Sequence, residues 1–183
     1  MTALPKIRMS VDEFLAWADE QPGRYELKNG AVYAMSPEGA AHAEKKAAIF
    51  VALLEGIRAR RLPCHALPDG MTVRIDETTV YEPDALVYCG TKLAPRSVEV
   101  PNPVIVVEVL SRSTGHIDTT AKLADYFKVA SVSHYLIIDP EKTLIVHHAR
   151  GTGDAILSRV VTAGSIVLDP PGIEIATKDI YGP

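Results

Sequence analysis

Apolar and polar positions follow two different periods along this chain, and the places where one gives way to the other mark out its elements. Val104 to Val107 is a run of four apolar residues, three of them valine, which suits a strand covered on both faces. After Ser111 the pattern turns helical. Ser113 or Thr114 can cap a helix carrying Ile117, Ala121, Ala124 and Phe127 on one side, with Lys122 on the same helix. Near the N-terminus, Ser10 can cap a short helix through Val11, Phe14, Leu15 and Trp17, with Asp12 and Glu13 in its first turn and Pro22-Gly23 to stop it. Asn29-Gly30 lies between two strand-like runs, a strong hairpin signal. From Glu38 to Arg61 a wide stripe of Ala47, Phe50, Val51, Leu53, Leu54 and Ile57 predicts a long helix, and Arg58, Arg60 and Arg61 suit its negative end.

Further strands are expected at Cys64 to Leu67 and Met71 to Asp76, on either side of the turn Pro68-Asp69-Gly70, and at Ala85 to Cys89. HYLIIDP and TLIVHHA read as two more, joined by Asp139-Pro140-Glu141-Lys142, and the tail alternates strand segments and turns. His147-His148 resembles a metal pair, but adjacent strand residues face opposite sides and do not easily share an ion. Without an internal repeat, a low-complexity segment or a dividing linker, residues 1–183 are expected to form a single α/β domain.

Composition narrows the classes. Hydrophobic content of 47% with both signs of charge interspersed belongs to a folded globular protein. A net charge of -4 argues against a general nucleic-acid coat protein but does not exclude a nuclease, because a carboxylate metal site adds negative charge itself and a local basic patch can coexist with it. Cys64 and Cys89 stand far apart without a CxxC partner, so both are expected as reduced, small apolar thiols. No apolar run approaches the ~20 residues of a membrane span, and the N-terminus lacks a signal peptide's apolar core. The expected compartment is the cytoplasm, with no membrane partner.

Two acids are attached to apolar strands. Glu108 follows the Val104 to Val107 run, and Asp84 stands between Pro83 and the Ala85 to Cys89 strand. A buried carboxylate is costly unless paired, and a metal ion is one such partner. Two on neighbouring strands, with the carbonyl of Val109, would make an oxygen-rich site suited to Mg²⁺ or Mn²⁺. Without the ion the acids would repel, so removing either is expected to relieve the protein. Lys122 can bring an ammonium to such a site; alternatively, Asp118 and Asp125 at helical spacing make it an ordinary surface ion pair. Glu26 and His42 are candidate outer members, the first otherwise an exposed cross-strand charge and the second a partly buried polar residue. No P-loop, dinucleotide-binding glycine pattern or GxSxG elbow is present.

The order Pro83-Asp84, Glu108-Val109-Leu110-Ser111, Lys122 with Tyr126, then HYLIIDP resembles the Uma-type putative restriction endonucleases of the PD-(D/E)XK nuclease superfamily. YELKNG, the helix bearing His42 and the closing PPGIEIATKDIY look like further landmarks. The resemblance implies a restriction-endonuclease-like core, a central mixed β-sheet flanked by helices, to which the N-terminal hairpin and C-terminal strands are additions. It implies a Mg²⁺-dependent phosphodiesterase with Asp84 and Glu108 as metal ligands and DNA as substrate. One departure stands out. The superfamily's lysine usually lies two positions after the strand acid, where this chain has Leu110, so the resemblance moves that role to Lys122. The rival reading is a catalytically inactive nuclease fold serving as a binding or oligomerising module, and an RNA or nucleotide phosphohydrolase would use the same metal logic. A homodimer is compatible with either of the first two.

Overall fold

The computed structural model describes residues 2–3, 8–111 and 116–182, with backbone alone at 2–3 and 116–118. A short strand, β1 (Thr2–Ala3), precedes α1 (Val11–Ala18). Ser10 Oγ accepts the Glu13 N–H while the Glu13 carboxylate accepts the Ser10 N–H, a reciprocal capping box. The hairpin follows as β2 (Tyr25–Lys28) and β3 (Ala31–Ala34). Asn29 and Gly30 between them have φ of 51° and 76°, the paired positive angles that match the twist of the flanking strands. The long helix α2 (Ala40–Arg60) ends where Arg61 turns left-handed.

Next come β4 (Cys64–Pro68), β5 (Val73–Asp76), β6 (Thr79–Tyr81), β7 (Ala85–Cys89) and β8 (Pro103–Val109). The chain then passes through α3 (His116–Tyr126), β9 (His134–Ile138), β10 (Ile145–Arg150) and β11 (Ile156–Val161). It closes with β12 (Ser165–Leu168), β13 (Ile173–Ala176) and the short helix α4 (Thr177–Tyr181). Ser113 and Thr114, expected as helix caps, and the side chain of Ile117 lie outside the described residues.

A six-stranded sheet runs β11-β10-β9-β8-β7-β4 and is mixed: β8 and β9 pair in parallel, their other neighbours antiparallel. The parallel pair is linked through α3, as a same-direction return requires a crossover. Its central strands are buried on both faces. Ile105, Val107, Leu136 and Ile138 pack beneath α2 with Ile49, Leu53 and Ile57, whereas Val106, Tyr135 and Ile137 pack with Tyr126 and Phe127 at the end of α3.

A second sheet, β1-β3-β2-β6-β5, incorporates the hairpin and carries α1 through Val11, Phe14, Leu27, Val32 and Val80. The hairpin is therefore part of a larger layer. Pro68-Asp69-Gly70 takes the chain from β4 in one sheet to β5 in the other. The strand β6 is too short, at three residues, for a periodic signal.

Three expectations change in the folded chain. The buried stripe of α2 is Lys46, Ile49, Ala52, Leu53 and Ile57, while Val51 is 46% exposed. The buried face of α3 presents Lys122 and Tyr126, with Ala124 exposed. Cys64 and Cys89 are joined in a disulfide, contrary to the expected free thiols. They are direct cross-strand partners in β4 and β7, a proximity that their separation of 25 in sequence conceals. Closing a loop of that length lowers the entropy of the unfolded chain, so a reductant is expected to lower unfolding stability by ~3 kcal/mol. Urea unfolding with and without dithiothreitol measures this, and Cys64→Ser should be insensitive to the reductant.

Candidate active site

The site begins with strand register. Ala85 pairs with Val107 and the Asp84 N–H donates to the Val107 carbonyl at 3.0 Å, so Asp84, just before β7, stands across from Glu108. Asp84 Oδ2 accepts the Val109 N–H at 2.7 Å, and Asp84 Oδ1 lies 3.1 Å from Lys46 Nζ. Glu108 Oε1 accepts from Tyr126 OH at 2.7 Å and from Lys122 Nζ at 3.0 Å.

Lys122 also donates to Glu26 Oε1 at 2.9 Å, and that oxygen accepts the Glu82 N–H at 3.0 Å. The ammonium is thus shared by a strand acid from each large sheet, with the Tyr81 ring centroid 5.0 Å away. Asp125, the expected helix-surface partner, instead accepts from Tyr81 OH and Lys128 Nζ, each at 2.6 Å. The side chain of Asp118 lies outside the described residues. Glu26 is buried, so the exposed-charge alternative for it does not hold.

His42, on the first turn of α2, places Nε2 2.9 Å from the Val109 carbonyl. A carbonyl only accepts, so Nε2 carries the proton. Nδ1 faces Glu38 Oε2 at 3.5 Å, and Nε2 lies 3.8 Å from Asp84 Oδ2. Glu26, His42, Asp84, Glu108, Val109 and Lys122 all line one cleft of about 570 Å³, whose rim includes 35–41 and Pro140-Glu141.

Sequence reasoning missed Lys46 and its partners. Its buried ammonium contacts Glu38, Asp69 at 2.6 Å and Asp84 at 3.1 Å. Arg24 then ties Asp69 to Glu82 with contacts of 2.5 Å to each. The signal was available: Lys46 lies three residues before Ile49 and seven before Leu53, in register with the helix's buried stripe. A lysine in that register needs internal anions, although the pattern alone does not say which.

These contacts set the charge states. Burial pushes the Glu108 carboxyl up, Lys122 opposes it, and the negative charges of Asp84 and Glu26 add to the rise. Burial works against the Lys122 ammonium, yet Glu108 and Glu26 leave its pKa well above the ordinary value. Burial likewise opposes the charge on Lys46, but hydrogen bonds to Asp69 and Glu38 and the charge of Asp84 raise it. Burial would raise Glu38, yet the hydrogen bond and charge of Lys46 hold it below its usual range.

The donor set suits a hard divalent ion. Asp84, Glu108 and the Val109 carbonyl offer oxygen alone, and a carboxyl raised in the absence of a cation is one that a cation would ionise. Glu38, His42 and Asp84 form an overlapping group whose ligand atoms lie within 4.8 Å of one another. No helix among the described residues is long and apolar enough to cross a membrane.

A mixed sheet between helices, with paired strand acids at its rim, defines an α/β fold of the nuclease type. The chain matches the crystal structure of a putative nuclease belonging to DUF820 from Anabaena variabilis with a TM-score of 0.75, covering 94% of this chain and 97% of that one at 14% identity. The Uma2 family model, described as a putative restriction endonuclease, matches residues 11–178, and the chain belongs to that family. It is also 25% identical over 187 residues to the uncharacterized protein slr1290 of Synechocystis sp., covering 97% of this chain and 93% of that protein.

The geometry revises the expectation that removing either acid relieves repulsion. With the Glu108 pKa raised on folding, its contribution to stability is present at acid pH and is lost as pH rises through the raised value. Glu108→Gln is expected to flatten the decline in melting temperature of the ion-free protein that runs from the ordinary carboxyl range up to about pH 8. Asp84→Ala deprives the Val109 N–H and Lys46 of a buried partner and should cost about 1–3 kcal/mol. Thermal melts from pH 5 to 9 without divalent ions distinguish the two variants.

Proposed function

We propose that this chain is a divalent-metal-dependent DNA endonuclease, with Asp84, Glu108 and the Val109 carbonyl as the residues that would hold Mg²⁺ or Mn²⁺. The observation that carries this reading is the Lys122 ammonium, delivered from α3 to within 3.0 Å of Glu108 where the strand itself has Leu110. A bound ion supplies Lewis acidity, lowering the pKa of water and offsetting charge on a phosphoryl oxygen. Cleavage would be in-line attack of water on phosphorus, with the P–O3′ bond breaking to leave a 3′-hydroxyl and a 5′-phosphate.

The chain's own side chains do the positioning. Glu26 holds Lys122 from behind, so its charge is aimed at the cleft before substrate arrives. Tyr126 orients the Glu108 carboxylate. Lys46 and the Val109 N–H restrain both oxygens of Asp84 while each keeps a lone pair for another contact. His42 donates to the Val109 carbonyl and so fixes the Val109–Leu110 peptide beside the site.

A second reading, a binding or oligomerising module whose acids are structural, is favoured by one observation: both acids already have cationic partners, Lys122 for Glu108 and Lys46 for Asp84. Calorimetric titration with Mn²⁺ separates the two. The nuclease binds the ion and releases a proton near neutral pH as the raised Glu108 carboxyl ionises, and Glu108→Gln abolishes the release. The module shows no saturable binding.

Activity gives an independent measurement. Asp84→Asn and Glu108→Gln should lose both ion binding and plasmid cleavage. Lys122→Gln should retain ion binding, because the lysine is no ligand, while cleavage falls on the order of a hundredfold. A Lys122→Gln variant that cuts at the wild-type rate overturns the role given to Lys122.

A further inference from the structure

The six-stranded sheet ends in β11, which pairs with β10 alone and so leaves one backbone edge without a partner among the described residues. Five of its six residues are exposed, including Leu157 at 65%, Val160 at 62% and Ile156 at 37%. Natural edge strands are commonly blunted by lysine, proline, a bulge or a covering segment. Here the register with β10 is unbroken over six residues, the strand contains neither lysine nor proline, and Arg159 is its one charge. An unbroken, apolar edge of this kind is a template for another strand.

We propose that β11 is a self-association edge, pairing antiparallel with β11 of a second copy so that two six-stranded sheets become continuous. The choice of a second copy comes from register and charge. A two-fold axis perpendicular to a sheet keeps each face on its own side, so residues that meet across it must have the same parity, and the axis must pass beside a single residue. Centred on Ser158, Ile156 meets Val160 of the second copy twice, and the serines meet each other. On the other face Leu157 meets Arg159, whose aliphatic stem can lie over it. Centring on Arg159 would instead set two guanidiniums directly opposite, which is destabilising. Of these two centres, which pair more of β11 than any other, both apolar matching and charge favour Ser158. Strands of this length bury less than the ~800 Å² per partner of a standard interface, so the dimer is a weak, concentration-dependent one. None of this rests on the catalytic reading.

Sedimentation of the full chain tests it. The wild-type mass is expected to rise from one copy towards two between about 1 and 100 µM, the range of a small interface. Val160→Lys and Leu157→Lys, both at exposed positions and the second set against Arg159 of the other copy, should each weaken association at least tenfold with little change in melting temperature. For register, Ser158→Cys should form a cross-linked dimer without reductant, because facing residues lie ~4.5–5.5 Å apart, within disulfide reach. Leu157→Cys, which meets arginine, should cross-link far less. A wild-type chain that stays monomeric up to about 1 mM, far above the range of a small interface, overturns the proposal. So does a dimer unaffected by two folded β11 variants, or cross-linking through Cys at 157 in preference to 158.

Discussion

One buried ammonium organises the centre of this protein. Lys122 leaves a helix and ends between Glu26 of the hairpin sheet and Glu108 of the mixed sheet, with bonds of 2.9 and 3.0 Å. Burying an isolated lysine or an isolated glutamate is prohibitively unfavourable, so each of the three requires the others. The two sheets share this polar junction as well as apolar contacts. Burying two acids around one base leaves an excess of negative charge, and that excess appears as the raised Glu108 carboxyl.

A second junction repeats the arrangement with the proportions shifted. Lys46 faces Glu38, Asp69 and Asp84, and Arg24 extends the network to Glu82. Together the two junctions restrain the strand acids from opposite sides, Asp84 from α2 and Glu108 from α3. The cleft between them is thus lined by groups with little rotational freedom, as a preorganised electrostatic site requires. Such preorganisation costs stability: paired buried charges are seldom better than a well-packed apolar core. Their retention here is understandable if the charges do chemistry.

Much of this was legible in the chain. The Val104 to Val107 run, the capped first helix, the Asn29-Gly30 hairpin and the long second helix each have a local cause, in side-chain period, cap or turn geometry. The separation of His147 from His148 follows equally from strand alternation: one ring meets His134 and the other Ser158. Asp84, Glu108, Val109, Lys122, Glu26 and His42 could be nominated from residue type and context, and they line one cleft.

Other features depended on long-range pairing, which no local pattern encodes. The second sheet needed the three-residue β6 to join β2 and β5, and the disulfide needed Cys64 to lie opposite Cys89. The face that α3 buries was misread because its charged residue points inward and Ala124 outward. Hydrophobic period assigns lysine to the surface; Glu108 together with Glu26, the latter 96 positions away in sequence, makes an inward Lys122 favourable. By itself, then, the sequence determined which segments are strands or helices and which residues have the chemistry, because those follow from neighbours within a few positions. Tertiary structure alone decided which acid meets which base, because an ion pair's energy depends on a distance that the fold sets.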